Sequence, residues 1–480
     1  MFFVQIAVTR INCSGSQLFI FSEEILLIFL QAGAGQPILG YYQIRTPILL
    51  VRDPEIIKKV LVTNFDSFQE TYYVVDKNLD PLVARCPLML SGDVWRGVRS
   101  LEAPAFTLGR VVTHFPTMAL ESREIIKYLE TEAPKHRPGG LEVRDLTCKF
   151  TTDVVVRCGF GVYGNSFTEA DATLRKLAAP TVGVWKAIRF TLHSLIPKLP
   201  EFLRVRYMEL EDQSFFQLLI KELILYRETK RVFRNDYLQM LMHIKCMGNI
   251  VKGKNTIRIA GVNLDYNDED IASHALNLLH FGCELPSFIL TLALYELASN
   301  PEIQTRLRAE IDVVLMRYSG GLTYEAVQEM SYLDMVLNET LRKYPPFQFL
   351  TRVCTRSCQL PLRNGESFIL EKGTAVLIPL EGLQMDPEHF PNPEQFDPER
   401  FSEERRATIK PFSYIPYGVG PRQCFGMKFA DAEMKAGLVT IISHFEVFRT
   451  PRTAATITKD PFTSLFDNKG GMWLDFVRRK

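Results

Sequence analysis

The sequence has almost no net charge. Its 56 Lys and Arg against 55 Asp and Glu leave +1, so no global field favours nucleic acid or an acidic partner. The nine cysteines show no paired spacing, and an odd count argues against a disulfide framework. Cys354 and Cys358 are the nearest pair, with no second pair placed to complete a zinc site. The default for most of them is a small buried hydrophobe. The eight histidines form no HExxH pattern. No repeat, low-complexity tract or Gly/Ser linker divides the chain. A clean membrane span is also missing from the first 34 residues. Met1 to Ala7 is too short for a bilayer, which takes about 20 residues. Gln17 to Gln31 is interrupted by Glu23 and Glu24, costing several kcal/mol at mid-membrane. A membrane-surface helix or an interrupted anchor is expected there instead.

The remainder reads as an ordinary globular chain. Apolar residues make up 46% and charged residues 23%, enough for a large core and too balanced for disorder. A length prior of roughly 150 residues per domain suggests about three units, but nothing marks such boundaries, and 35–480 is expected to be one. Residues Ile38 to Val51 are β-rich, and Asp53-Pro54 opens a short helix over Glu55 to Val62. Helical periodicity dominates from Val94 to Tyr344, with one long helix from Asp268 to Ser299, too polar at its start for a membrane span. Asn300-Pro301-Glu302 starts the next helix and Gly320-Gly321 ends it. After Pro345-Pro346 come strand-like SFIL and TAVLIPL, a turn at Arg363-Asn364-Gly365, a Pro-rich stretch from Met385 to Phe401, and a last helix from about Cys424 to His444. The expected class is mainly α with small β-sheets.

The chemistry concentrates in PYGVGPRQCFG, Pro416 to Gly426. Gly418 and Gly420 permit tight turns and close approach to a flat ligand. Cys424 stands where a helix begins, so free N–H groups and the helix dipole favour its thiolate and tune an attached metal. Arg422 is suited to a carboxylate. On the glycines alone this is a loop around an inert cysteine. Elsewhere, Glu339 and Arg342 in ETLR share a helix face, as do Trp95 and Arg99 in WRGVR. Alone, the first is a solvated ion pair and the second an amphipathic helix.

Together these segments resemble the cytochrome P-450 family. The loop matches its signature at Gly420, Arg422, Cys424 and Gly426, with Tyr417 where the family usually has Phe. The resemblance covers Gly40 to the C-terminus and implies the cytochrome P-450 fold, with haem b held through Cys424, the iron's axial ligand. It implies that Trp95, Arg99, Arg352 (in LTRVC) and Arg422 face the haem propionates, and that Glu339 and Arg342 form a structural network with Arg400 of FDPERF. PERF ahead of the loop resembles the microsomal branch, served by an NADPH-cytochrome P-450 reductase and cytochrome b5 on the cytoplasmic face of the endoplasmic reticulum. GDVWRGVRSLEAPAFTLGRV and NETLRKYPP resemble the drug- and toxin-metabolising clan of vertebrates and insects. The implied reaction inserts one atom of dioxygen into a small apolar substrate such as a xenobiotic, steroid or lipid-like molecule.

The pattern breaks on the long helix. The family's Ala/Gly-Gly-x-Asp/Glu-Thr-Thr/Ser becomes Phe281-Gly282-Cys283-Glu284-Leu285-Pro286. Leu285 cannot hydrogen-bond as the Thr would, and Pro286 deprives the Gly282 carbonyl of its helical donor. Gly282, holding a water, and Glu284 are therefore the expected proton suppliers. The same break leaves two other readings open: a haem-thiolate peroxide isomerase or dehydratase, and a haem protein that no longer turns over. The mixed aromatic and basic stretch from Trp185 to Arg206 is either a buried helix and loop or a surface for membrane lipid.

Overall fold

A computed structural model describes residues 36–43, 46–72, 75–169, 172–178, 204–249, 256–259, 262–361, 367–458 and 468–479. The expectations for 1–34, for the turn at 363–365 and for most of 185–206 lie outside the described residues.

The β-rich start forms strands β1 (Ile38–Gln43) and β2 (Thr46–Val51), paired antiparallel. Helix α1 (Pro54–Lys58) follows, its Asp53 cap accepting from Glu55 N at 2.8 Å; the expected extension to Val62 is instead a wider π turn over Lys59–Thr63. Helices α2 (Gly92–Glu102), α3 (Leu108–Glu132) and α4 (Val143–Phe160) come next, then α5 (Leu210–Lys230) and α6 (Tyr237–Asn249). The two-residue strand β3 (Leu141–Glu142) lies between α3 and α4, and hairpin β4–β5 (Thr256–Ile259, Val262–Asp265) precedes α7.

Helix α7 (Asp268–Ser299) has the boundaries its pattern predicts. Asn267 and Asp270 close a capping box at its start, satisfying two orphan amides. Its length and composition would suit a membrane span, but most of its apolar window is buried within the protein, so it is the central core helix. Thr147 and Thr151 of α4 donate to the α7 carbonyls of Ser287 at 3.0 Å and Cys283 at 2.9 Å, and these bonds flank Pro286. At Gly282 a Cβ would lie 3.1 Å from a Val155 methyl, so the crossing of α4 over α7 favours glycine there.

Helices α8 (Pro301–Arg317) and α9 (Ser331–Lys343) lead to Pro345-Pro346, where the chain turns extended. Strand β6 (Phe349–Val353) joins a four-stranded sheet in the order β1-β2-β9-β6, with β9 being Ala375–Pro379. It places Arg352 opposite Val376. Between β6 and β9 stands the hairpin β7 (Cys358–Pro361) and β8 (Ser367–Leu370). Helix α10 (Met427–His444) packs behind the cysteine loop, and β10 (Phe445–Arg449) and β11 (Trp473–Arg478) close the chain with β3. Buried residues of α3, α4, α7, α9 and α10 share one continuous apolar core.

Candidate cofactor site around Cys424

The loop before α10 is shaped by its glycines. Gly420 has φ +80°, and a Cβ there would lie 2.1 Å from the Leu61 carbonyl oxygen. Only glycine meets both conditions, so the loop is pressed onto the turn after α1. Cys424 N donates to Tyr417 O at 2.9 Å, closing the loop between the two signature positions, and Tyr417 packs its ring against the main core. Helix α10 starts at Met427 with Gly426 as its cap, later than the predicted start at Cys424. The tight turn through Cys424 is what lets the Gly426 and Met427 amides reach back to the sulfur. Burial pushes the thiol up, while those amides and Arg99 pull it down. The residue is nonetheless exposed.

Three guanidiniums cluster near it: Arg99 acts on the Cys424 thiol, and Arg352 and Arg99 both act on Arg422. Arg99 donates to the Gln423 carbonyl at 2.6 Å and stacks on Phe425 at 4.8 Å. Arg422 donates to the carbonyls of Gln69 at 2.7 Å and Leu90 at 2.6 Å. Arg352 donates to its neighbour Thr351 at 2.7 Å, and its buried Nε has no hydrogen-bond partner. Among the described residues none of the three is ion-paired. Burial lowers Arg352 to about 10. Burial, then Arg352 and Arg99 against an opposing pull from Glu70, lowers Arg422 to about 9. A cluster of mutually repelling, partly desolvated cations is the setting that a ligand with two carboxylates would relieve. Haem b carries two propionates and an iron that a thiolate can hold, so the donor set fits that cofactor, which Cys424 would hold.

Trp95 belongs to the same cluster. Its buried ring is packed between Phe65, at 5.5 Å, and the Arg422 guanidinium, at 4.2 Å. It is thus a platform that aims Arg422. The end of its helix is pinned to α7: Glu102 lies 2.7 Å from His274 Nδ1 and accepts from the Tyr237 hydroxyl at 2.7 Å, with all three side chains buried. Sequence reasoning missed this network, because no local spacing links residues so far apart.

On the opposite helix, the partly accessible positions of α7 include Asn277, His280, Phe281 and Leu285, spaced to form one stripe. Phe281 stands 6.1 Å from Phe347, narrowing the approach. Glu284 is buried and turned towards α4, where Arg144 Nη2 donates to it at 2.5 Å. Arg144 is a second residue the sequence did not reveal. The third is His280, whose buried Nδ1 has no partner and whose imidazole burial pushes down to about 4.

The ETLR helix meets the Pro-rich stretch as a fully buried network. Arg342 grips Glu339 with two bonds, of 2.7 and 2.9 Å, and Arg400 adds a third at 3.3 Å. Their remaining N–H groups cap the carbonyls of Gln384, Pro393, Pro391 and Asn392. Carbonyls are thereby satisfied in a segment with little regular structure, which seats the loop carrying Cys424.

The chain matches the family described as cytochrome P450 over residues 12–474. It is 32% identical over 454 residues to cytochrome P450 6k1 of Blattella germanica, covering 93% of this chain and 85% of that protein. Cytochrome P450 9e2 of the same cockroach is 33% identical over 460 residues, covering 92% and 85%. The probable cytochrome P450 6a13 of Drosophila melanogaster is 33% identical over 443 residues, covering 91% and 84%.

Proposed function

The chain belongs to the cytochrome P450 family of haem-dependent monooxygenases, and from that premise we propose that it oxidises small apolar organic molecules with electrons passed from NADPH through a flavoprotein reductase. The observation that carries this reading is the exposed Cys424 beside the cluster of Arg99, Arg352 and Arg422, none of them ion-paired among the described residues. The substrate class follows from the partly accessible side of α7, where Phe281 and Leu285, with Phe347 beside Phe281, offer apolar surface. The insect relatives fit the microsomal type. A place on the cytoplasmic face of the endoplasmic reticulum, contact with membrane lipid and service by cytochrome b5 belong to the same reading.

Haem held by Cys424 would supply the oxygen-activating chemistry, which a thiolate ligand would favour. The protein's part is to hold that cofactor, exclude water and deliver protons. Leu285 offers no hydroxyl for the last task. The Gly282 carbonyl, which Pro286 leaves without a helical donor, holds a water instead. Glu284 feeds that water by turning away from Arg144. Proton supply is therefore slower than with a threonine in place, and part of the reduced oxygen leaves as hydrogen peroxide.

The test is turnover of apolar candidates by the holoprotein with NADPH–P450 reductase, NADPH and isotopically labelled dioxygen. One labelled oxygen atom in the product is the expected result. Turnover of a lipid hydroperoxide without NADPH would instead identify a peroxide isomerase or dehydratase. Bound haem with no turnover of either kind would mark an inactive haem protein.

A further inference from the structure

We propose that Cys354 and Cys358 are a peroxide-responsive thiol pair that closes into a disulfide. Cys354 directly follows strand β6 and Cys358 opens β7, so the corner between them is short. The Cys354 sulfur lies 3.7 Å from the carbonyl of Leu370, the residue that stands opposite Cys358 in the β7–β8 hairpin, and Cys358 packs against the apolar cluster that contains Cys354. Cys354 is fully buried, its sulfur 3.0 Å from the Arg356 carbonyl, and Cys358 is partly exposed. Of the nine cysteines this is the closest pair in sequence, and the fold keeps the two together.

The pair is also differentiated. Burial pushes both thiols up, Cys354 to about 11, and Cys354 is enclosed while Cys358 is partly open. Cys358 is therefore the more accessible sulfur, the one that a peroxide in solution meets first. Its thiolate attacks one oxygen of hydrogen peroxide. The O–O bond breaks, the displaced hydroxide takes the thiol's proton and leaves as water, and Cys358 becomes a sulfenic acid. Cys354 then attacks that sulfur; the S–S bond forms, the S–O bond breaks and a second water leaves. Two thiols have lost two electrons and one peroxide has gained them.

The site of modification is tied to the cofactor site. Cys354 N donates to Thr374 O at 2.9 Å and its carbonyl accepts from Gly373 N at 2.7 Å, anchoring the corner beside β9. Arg352 lies two residues upstream on the strand that β9 pairs. The oxidant is supplied by the enzyme's own incomplete coupling at Leu285. That source rests on the proposed function, whereas the thiol chemistry does not.

Trypsin cleaves after Arg352, Arg356 and Arg363, separating Cys354 in Val353–Arg356 from Cys358 in Ser357–Arg363. The purified holoprotein is treated with an equivalent of hydrogen peroxide, alkylated, digested without reductant and weighed. The linked peptides are expected, two hydrogens lighter than their sum, before the exposed Cys246 is oxidised, and dithiothreitol should reverse them. In Cys354→Ser, dimedone should trap a sulfenic acid on Cys358. Two free alkylated peptides at a dose that oxidises Cys246 would overturn the pair, as would sulfinic acid on Cys358 with no linkage. With reductase and NADPH replacing added peroxide, the linkage should form and catalase should suppress it. Its absence there, with the added-peroxide arm positive, would overturn the turnover source alone.

Discussion

The Arg422 guanidinium stacks 4.2 Å from the centre of the Trp95 indole ring. A desolvated contact of this kind is worth about 2 kcal/mol, and here it holds a cation whose like-charged neighbours Arg99 and Arg352 disfavour it. Trp95→Ala should therefore loosen Arg422 and speed haem loss to an excess of apomyoglobin by tenfold or more, about 1.4 kcal/mol per factor of ten. Trp95→Phe should keep most of the retention. Equal retention in all three proteins would remove Trp95 from the cofactor site.

The buried carboxylate of Glu339 serves two guanidiniums. Removing one partner of such a group leaves an uncompensated buried charge, at a cost of about 3–5 kcal/mol. Glu339→Ala should lower the urea midpoint accordingly. Arg342→Lys should fall almost as far, because one ammonium cannot replace a fork that also reaches Gln384 and Pro393. A wild-type midpoint for Arg342→Lys would show the network to be unimportant.

Leu285 sits on the accessible stripe of α7 without a hydrogen-bonding group. Leu285→Thr should lower hydrogen peroxide released per NADPH consumed, by a factor of about two or more, with the haem spectrum unchanged. Unchanged peroxide release in the mutant would show that Leu285 does not limit proton delivery.

His280 gives a pH signature. Its folded value is pushed down from 6.5 to about 4 by burial, so the unfolded chain takes up the proton first. Stability from this group is whole above about pH 6.5 and is lost as pH falls towards 4. At 1.36 kcal/mol per unit the full loss is on the order of 3 kcal/mol. Urea unfolding of wild type and His280→Phe at pH 7 and 5 should show a smaller acid penalty in the mutant. Equal penalties would place His280 in contact with solvent.

Much of this was readable before any coordinates. Helix α7 carries its boundaries in Asn267, Asp270 and the Asn300-Pro301 stop, all local signals of capping chemistry. The partners of Glu339 were also legible, since Arg342 is a helical neighbour and Arg400 belongs to a matching motif. What stayed hidden is long-range. Arg144 lies 140 positions from Glu284 and Tyr237 lies 135 from Glu102, and neither carries a motif. The packing of Trp95 stayed hidden for the same reason: its neighbour Phe65 comes from a segment no spacing connects to it.

X-ray absorption at the iron edge of the purified holoprotein bears most directly on the bond at Cys424. One sulfur in the first coordination shell of wild type, lost in Cys424→Ser while the fold persists, is the predicted result. A shell of nitrogen and oxygen alone in the wild-type protein would contradict the assignment.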